Sequence, residues 1–104
     1  MRKYSNPATV SAWRQQQDRC ASCGKRGPIE VHHMLGGRVA RPDREWNFLA
    51  LCQACHEKYG HGRENLSYCL WWKMRSDPEN YDRAAMQAWL KRFGTETLPR
   101  ARKP

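Results

Sequence analysis

The chain has 104 residues, of which 19 are Lys or Arg and 10 are Asp or Glu, so its formal net charge is +9. This length fits one domain, and the longest purely apolar run, residues 48–52, is far shorter than the roughly 18 residues of a membrane span. No apolar segment follows the basic N-terminus, so no signal peptide is predicted and a cytoplasmic location is expected. The charge indicates either a polyanionic partner, most commonly nucleic acid, or a solvated basic surface.

The N-terminal half is predicted to hold one helix and a pair of strands. Thr9 is a candidate N-cap for a helix over about residues 10–18. Alternating apolar and polar residues predict a strand at 29–33, and the apolar run at 48–51 predicts a second strand paired with the first. Glycines, a proline and several charges predict a loop over 34–46. A loop of this length in so small a domain is usually functional or disordered.

The C-terminal half is predicted to be helical. A short helix is expected at 53–59, and apolar residues at the helical period predict a helical extension over 64–94. Asp77 and Pro78 divide this extension, because Asp is a good N-cap and proline suits the first position of a helix. The basic residues 95–104 predict a disordered tail that trails along DNA.

Four of the five cysteines form two Cys-x-x-Cys pairs, Cys20/Cys23 and Cys52/Cys55. Disulfides are rare in intracellular proteins, and paired Cys-x-x-Cys spacing is typical of structural zinc sites with four thiolate ligands. The four cysteines are therefore predicted to hold a structural Zn²⁺ that contributes much of the folding free energy. Reduced core cysteines would leave the two matched spacings unexplained. Cys69 lies in an apolar run and is predicted to be a small buried hydrophobe.

All four histidines lie in the same central stretch as these cysteine pairs. His32 and His33 are adjacent, and His56 directly follows the last cysteine. Adjacent residues of a strand point to opposite faces, so the pair can act on different groups only if the strand bends or ends there. Histidine binds divalent ions, and its pKa near neutrality suits a general base that deprotonates water.

These residues together resemble the HNH endonuclease family in its zinc-bearing form. The resemblance covers residues 20–61 and is carried by Glu30-Val31-His32-His33, Asn47-Phe48-Leu49-Ala50-Leu51-Cys52 and Cys55-His56. It implies a ββα-metal fold, in which two strands and a helix surround one catalytic ion, and metal-dependent hydrolysis of DNA phosphodiester bonds. The expected fold is therefore one α+β domain over 1–104. Its small ββα-metal core is stapled by the four-cysteine zinc site and flanked by N- and C-terminal helices.

The resemblance implies a role for each matching position. His32 and His56 match metal ligands, and His33 matches the general base. Asn47 matches the asparagine that positions the base. The family often has a further ligand one turn after the second histidine, where this chain has a glycine. His61 lies one residue beyond that position, so it is either a third metal ligand or a surface histidine.

The sequence leaves the identity of the catalytic ion open. Histidine ligands suit Mn²⁺, Ni²⁺, Co²⁺ or Zn²⁺, whereas Mg²⁺ prefers oxygen and would depend on phosphate and water. Glu30 is either an exposed strand residue or a hydrogen-bond partner of a histidine. Several basic residues flank the site and are candidates for phosphate contacts or for plain solvation. They are Arg38, Arg41, Arg44, Lys58 and Arg63.

Other functions of a zinc protein compete with this hypothesis. Zinc deaminases need His-x-Glu and Pro-Cys-x-x-Cys, and the chain has neither. The segment from His56 to His61 is one residue too long for the His-Glu-x-x-His of zinc proteases. A non-catalytic zinc module that binds DNA or another protein remains the alternative, although it does not explain the histidines and the asparagine.

As a nuclease, the chain is expected to act on double-stranded DNA. No sequence-reading element is recognisable, so either weak specificity or a target supplied by a partner protein is expected. Small nucleases of this kind resemble those of phages and mobile elements.

Overall fold

The structure is a computed structural model that describes residues 4–36, 41–93 and 97–104. Within these ranges the chain is a small α+β protein with a two-stranded sheet and four α-helices. The elements are α1 (Pro7–Gln15), β1 (Glu30–His33), β2 (Phe48–Leu51), α2 (Gln53–Tyr59), α3 (Arg63–Ser76) and α4 (Arg83–Phe93), with 3-10 turns at Glu45–Asn47 and Pro78–Asn80. No described helix combines the length and the hydropathy that a bilayer crossing requires.

The two strands are antiparallel, with His32 opposite Leu49 and His33 opposite Phe48. The strand pair confirms the sequence prediction to within one residue at each end. Because paired residues share a face, His32 lies on the side of Leu49 and His33 on the side of Phe48. β1 ends at His33, so His32 and His33 lie on opposite faces of the sheet at the end of this strand.

Each face of the sheet has its own apolar core. Leu49 lies in the larger cluster, which includes Leu70 of α3 and Met86 of α4. Phe48 lies in the smaller cluster, where it packs against Trp13 of α1 at 5.5 Å between ring centroids. The sheet is therefore sandwiched between α1 and the C-terminal helices, which fixes the position of β1.

α1 begins earlier than the sequence predicted. Its N-cap is Asn6, whose side-chain oxygen accepts the backbone N–H of Thr9 at 3.2 Å. The prediction of Thr9 as the cap is therefore wrong, and the helix covers Pro7–Gln15 rather than about 10–18. Asparagine is as good a cap as threonine, and the proline that follows it has a backbone φ suited to the first helical position.

The sequence predicted Asp77 as a helix N-cap, but Asp77 does not cap α4. Its carboxylate accepts hydrogen bonds from the buried ammonium of Lys73 at 2.6 Å and from the indole of Trp13 at 2.9 Å. A 3-10 turn follows it at Pro78–Asn80, and Asp82 accepts the backbone N–H in the first turn of α4 instead. The local cap pattern was overridden because a buried cation needs a charged partner.

The segment 97–104 differs from the disordered tail that the sequence predicted over 95–104. We call this segment the C-terminal strap. Leu98 is only 5% exposed, and the guanidinium of Arg83 donates to the carbonyls of Leu98 and Pro99 at 3.4 and 2.9 Å. The backbone N–H of Arg102 donates to the Ser67 carbonyl at 3.0 Å. Residues 94–96, including the glycine expected to end the last helix, lie outside the described residues.

Candidate metal centre and histidine site

The four predicted zinc ligands form one cluster. Their sulfur atoms all lie within 4.8 Å of one another, and the sulfurs of Cys23 and Cys52 are 3.9 Å apart. Tetrahedral zinc with bonds of about 2.3 Å to sulfur places its ligands roughly 3.8 Å from each other. The cluster could therefore hold a structural metal ion such as zinc, as the spacing predicted.

The first cysteine pair lies in a turn that β2 holds in place. The N–H of Cys20 donates to the Lys25 carbonyl at 2.9 Å, and the N–H of Gly24 donates to the Cys20 carbonyl at 3.0 Å. Gly24 has a φ of 76°, in the left-handed region that favours glycine. The N–H of Ala21 donates to the carbonyl of Ala50 at 2.7 Å, so the turn is bonded directly to β2.

The second pair lies where β2 passes into α2. Cys52 is the N-cap residue of α2, and Cys55 lies in its first turn. Burial raises the pKa of the Cys55 thiol to about 12. Burial also acts to raise the pKa of Cys20, but the backbone N–H groups of Cys23, Cys52 and Ser22 outweigh it and lower the pKa to about 7. The turn thus favours a thiolate at Cys20, the form that binds metal.

Two of the predicted ligands of the catalytic ion meet beside the cysteine cluster. The rings of His32 and His56 lie 5.0 Å apart between centroids, at an interplanar angle of 63°. His32 is only 8% exposed. Burial of the ring and the neighbouring His56 imidazole lower the pKa of His32 to about 4. His32 is therefore neutral near pH 7, which is the form of histidine that binds metals.

A carboxylate orients His56. Nδ1 of His56 lies 2.7 Å from Oε1 of Glu30, so Nε2 is the ring nitrogen left for another partner. Both descriptions that the sequence offered for Glu30 hold, because it is an exposed residue of β1 and also a hydrogen-bond partner of a histidine. At the next turn, a Cβ on Gly60 would lie 2.5 Å from the His56 carbonyl oxygen and 3.1 Å from its ring. Because there is no room for a side chain here, glycine is favoured at the position where the resemblance implied a further metal ligand.

His33 has a carboxylate partner that the sequence analysis missed. Its Nε2 lies 2.7 Å from Oδ1 of Asp43, and the two side chains are 12% and 14% exposed. Burial acts to raise the pKa of Asp43, but the N–H of Asn6 and the His33 ring outweigh it and hold the pKa below its usual range. The loop holds two acidic residues, Asp43 and Glu45, and their spacing gives no signal as to which one reaches His33.

Asn47 is fully buried and closes the loop between the strands. Its side chain accepts the N–H of Leu35 at 2.7 Å and donates to the carbonyls of Leu35 and Pro42 at 2.9 and 3.1 Å. These bonds join the start of the loop, next to His33, to its end, next to Asp43. Asn47 thus ties the two ends of this loop to one buried side chain.

A cavity of about 460 Å³ opens at the end of β1. His32 and His33 both line it, together with His61 and Arg63 at its exposed side. Among the described residues, however, the cysteines are the only group of three or more possible ligands whose atoms converge. His61 therefore shares the cavity with His32 without completing a three-ligand cluster.

The candidate phosphate-binding residues differ in their surroundings. Arg63 lines the cavity and donates to the Thr97 carbonyl at 3.2 Å. Arg41 is exposed and close enough to contribute to the lowered pKa of His32. Arg44 and Lys58 each lie over a tyrosine ring, at 5.2 Å from its centroid. Arg38 lies outside the described residues.

No family model matches the chain, and neither the curated proteins nor the solved structures contain a match. The likeness to HNH endonucleases thus stays a prediction from the motif.

Proposed function

We propose that the chain is a metal-dependent DNA endonuclease of the HNH type. In this proposal β1, β2 and α2 form a ββα-metal core, and the cysteine cluster holds the zinc ion that staples it. One observation carries the proposal: a buried, neutral histidine and an oriented second histidine lie side by side, and a carboxylate-bound third histidine shares the cavity of the first. A non-catalytic zinc module that only binds DNA or another protein does not need this arrangement.

His32 and His56 are the proposed protein ligands of the catalytic ion. Imidazole nitrogens at about 2.1 Å from a common ion lie roughly 3 Å apart, which is compatible with rings 5.0 Å apart between centroids. Glu30 holds the Nδ1 side of His56 and so presents Nε2. A divalent ion bound there supplies neutralisation of the scissile phosphate and of the leaving oxygen. Mn²⁺, Ni²⁺, Co²⁺, Zn²⁺ and, with oxygen ligands, Mg²⁺ are all candidates.

His33 is the proposed general base. It lines the same cavity as His32, so both side chains border the space proposed to hold the attacking water. It reaches the cavity from the opposite face of the sheet, because β1 ends at this residue. A base beside an ion-bound phosphate is the arrangement that phosphodiester hydrolysis needs.

Double-stranded DNA is the proposed substrate. The net charge of +9 favours a polyanion, and exposed cations such as Arg41, Lys58 and Arg63 lie close to the cavity or on the helices that border it. His61 is proposed to contact phosphate or water at the exposed side of the cavity. Action on intracellular DNA implies a cytoplasmic location, and a partner protein can supply the choice of target.

Plasmid nicking tests the proposal. Wild-type protein is expected to relax supercoiled plasmid with at least one of Mg²⁺, Mn²⁺, Ni²⁺, Co²⁺ or Zn²⁺. His33→Ala should lose roughly 10²–10⁴-fold in rate while retaining zinc and plasmid binding, because only the base is removed. Gln15→Ala, an exposed change on α1, is the matched control and should cut like wild type. Wild-type protein that binds plasmid but leaves it intact with every metal would favour the non-catalytic zinc module.

A further inference from the structure

We infer that Asp43 is a positioning residue for the general base: it holds His33 with the proton on Nε2, so that Nδ1 is the atom that accepts a proton from water. The inference deepens the proposed function and rests on it. It also assigns a role to the N-terminal residues 4–6, which hold Asp43 in place.

The hydrogen-bond chemistry sets the direction of the contact. A carboxylate with a lowered pKa is ionised at neutral pH and can only accept, so Nε2 of His33, 2.7 Å away, must carry the proton. In a neutral imidazole the other nitrogen then bears the lone pair. The ring is also packed edge-on against Phe48, at 5.3 Å between centroids and an interplanar angle of 83°. Two contacts thus restrict how the ring of His33 turns.

Asp43 is itself held at three points. Oδ1 accepts from His33, while Oδ2 accepts the backbone N–H of Asn6 at 2.7 Å. The backbone N–H of Asp43 donates to the carbonyl of Tyr4 at 2.9 Å. Since each carboxylate oxygen has its own partner, rotation of the carboxylate would break both bonds. Asn6 also caps α1, so the start of that helix, the loop and the base form one connected unit.

The cavity separates the roles of the two residues. His33 lines it, whereas Asp43 is not among the residues that line it, so Asp43 acts on the substrate only through His33. In the reaction, Nδ1 takes one proton from water as the water oxygen forms a bond to phosphorus. The bond between phosphorus and the leaving sugar oxygen breaks, and that oxygen departs with the electron pair and is protonated by solvent. The imidazolium that results is stabilised by the adjacent carboxylate.

Two substitutions separate positioning from mere support of the fold. In Asp43→Asn the amide can donate to Nε2 and so move the ring proton to Nδ1, which blocks the base. We expect kcat for nicking to fall roughly 10²–10⁴-fold with KM changed less than about threefold. Asp43→Ala cannot donate, so it should be no slower than Asp43→Asn. A structural role predicts the opposite order, because Asn keeps the volume and a hydrogen bond. Glu45→Gln, at the other acid of this loop, is the control and should cut like wild type.

Nitrogen NMR gives a readout that does not depend on cleavage. At alkaline pH, where imidazole is neutral, the ring of His33 should show the Nε2–H tautomer in wild type and the Nδ1–H tautomer in Asp43→Asn. A wild-type ring protonated on Nδ1 would overturn the inference. So would equal kcat values in wild type and Asp43→Asn, which would leave the proposed function standing. Wild-type protein that never cuts plasmid removes the proposed function, and this inference with it.

Discussion

The cysteine cluster and the histidine site lie side by side but are built on different plans. The four sulfurs converge within 4.8 Å on one point, and each pair comes from a single turn of chain. Three of the histidines lie on β1 and α2, and two of these are each held by a carboxylate elsewhere in the chain: Glu30 for His56 and Asp43 for His33. A closed centre needs only mutual proximity. The catalytic role proposed for the histidines needs each ring turned in a set direction.

This difference predicts that damage to the two sites has different consequences. Breaking the cysteine cluster should unfold the chain, because its ligands staple β2 and α2 to the first turn. Changes at the histidine site should leave the cysteine cluster intact. Their cost in stability should fall from the buried Asn47 of the loop, through His32, to the exposed carboxylate of Glu30.

The largest effect is expected from Cys52→Ala. Structural zinc contributes on the order of 10–16 kcal/mol of apparent binding free energy, which is comparable to the whole stability of a small domain. The variant should lose zinc and its cooperative thermal transition, measured by elemental analysis and circular dichroism. Cys69→Ala is the matched control. Burial raises the pKa of Cys69 to about 12, and the residue lies outside the cluster, so this variant should keep its zinc and its fold. Native-like melting of Cys52→Ala would contradict the comparison.

Asn47→Ala tests the loop that carries the histidine site. It removes three buried hydrogen bonds and leaves backbone groups of Leu35 and Pro42 without this partner. We expect the free energy of unfolding in urea to fall by about 2–4 kcal/mol with zinc retained. Asn65→Ala, at a partly exposed asparagine that also bonds to backbone carbonyls, should cost less than about 1 kcal/mol. Equal losses in the two variants would show that the loop has no special dependence on Asn47.

The lowered pKa of His32 predicts a pH dependence. Between its folded value of about 4 and the unfolded value of about 6.5, the unfolded state binds more protons, so stability falls as pH falls. From pH 7.5 to 5.5 this contribution amounts to about 1 kcal/mol. His32→Gln should lose that part of the slope, measured by urea denaturation at pH values where zinc content is constant. Parallel slopes in wild type and His32→Gln would disprove the assignment.

The smallest effect on stability is expected from Glu30→Gln. The pair it breaks is exposed, with 50% of the Glu30 and 32% of the His56 side chain accessible, so the loss should stay below about 1 kcal/mol. Affinity for Mn²⁺ should nevertheless drop roughly 10–100-fold, because the carboxylate orients a proposed ligand. Glu57→Gln, an exposed change beside His56 on α2, is the control for charge in an Mn²⁺ titration. Equal affinities in the two variants would exclude the orienting role.

The sequence predicted the features set by local patterns, such as the cysteine cluster, better than the long-range contacts of the histidine site. The cysteine pairs and the two strands are local patterns, with ligands three residues apart or apolar residues alternating, and both predictions were confirmed in position. The contacts of Asp43 and Glu30 with histidines span 10 and 26 residues, and tertiary packing decides them. Asp77 had the local pattern of a cap, but its carboxylate accepts hydrogen bonds from Lys73 and from Trp13, which is 64 residues away. The C-terminal strap was predicted to be disordered because of its basic residues. No local pattern indicated that its single leucine is buried.

α2 carries Cys55 and His56 as neighbours, and with seven residues it is too short to keep its helical shape in water by itself. Its conformation therefore depends on the sulfurs at its start. Oxidation of these thiolates, or removal of a zinc ion held by them, would release the helix and with it the orientation of His56. Peroxide should thus lower the activity proposed for the histidine site without modifying an imidazole, so handling under reducing conditions becomes part of any activity measurement on this protein.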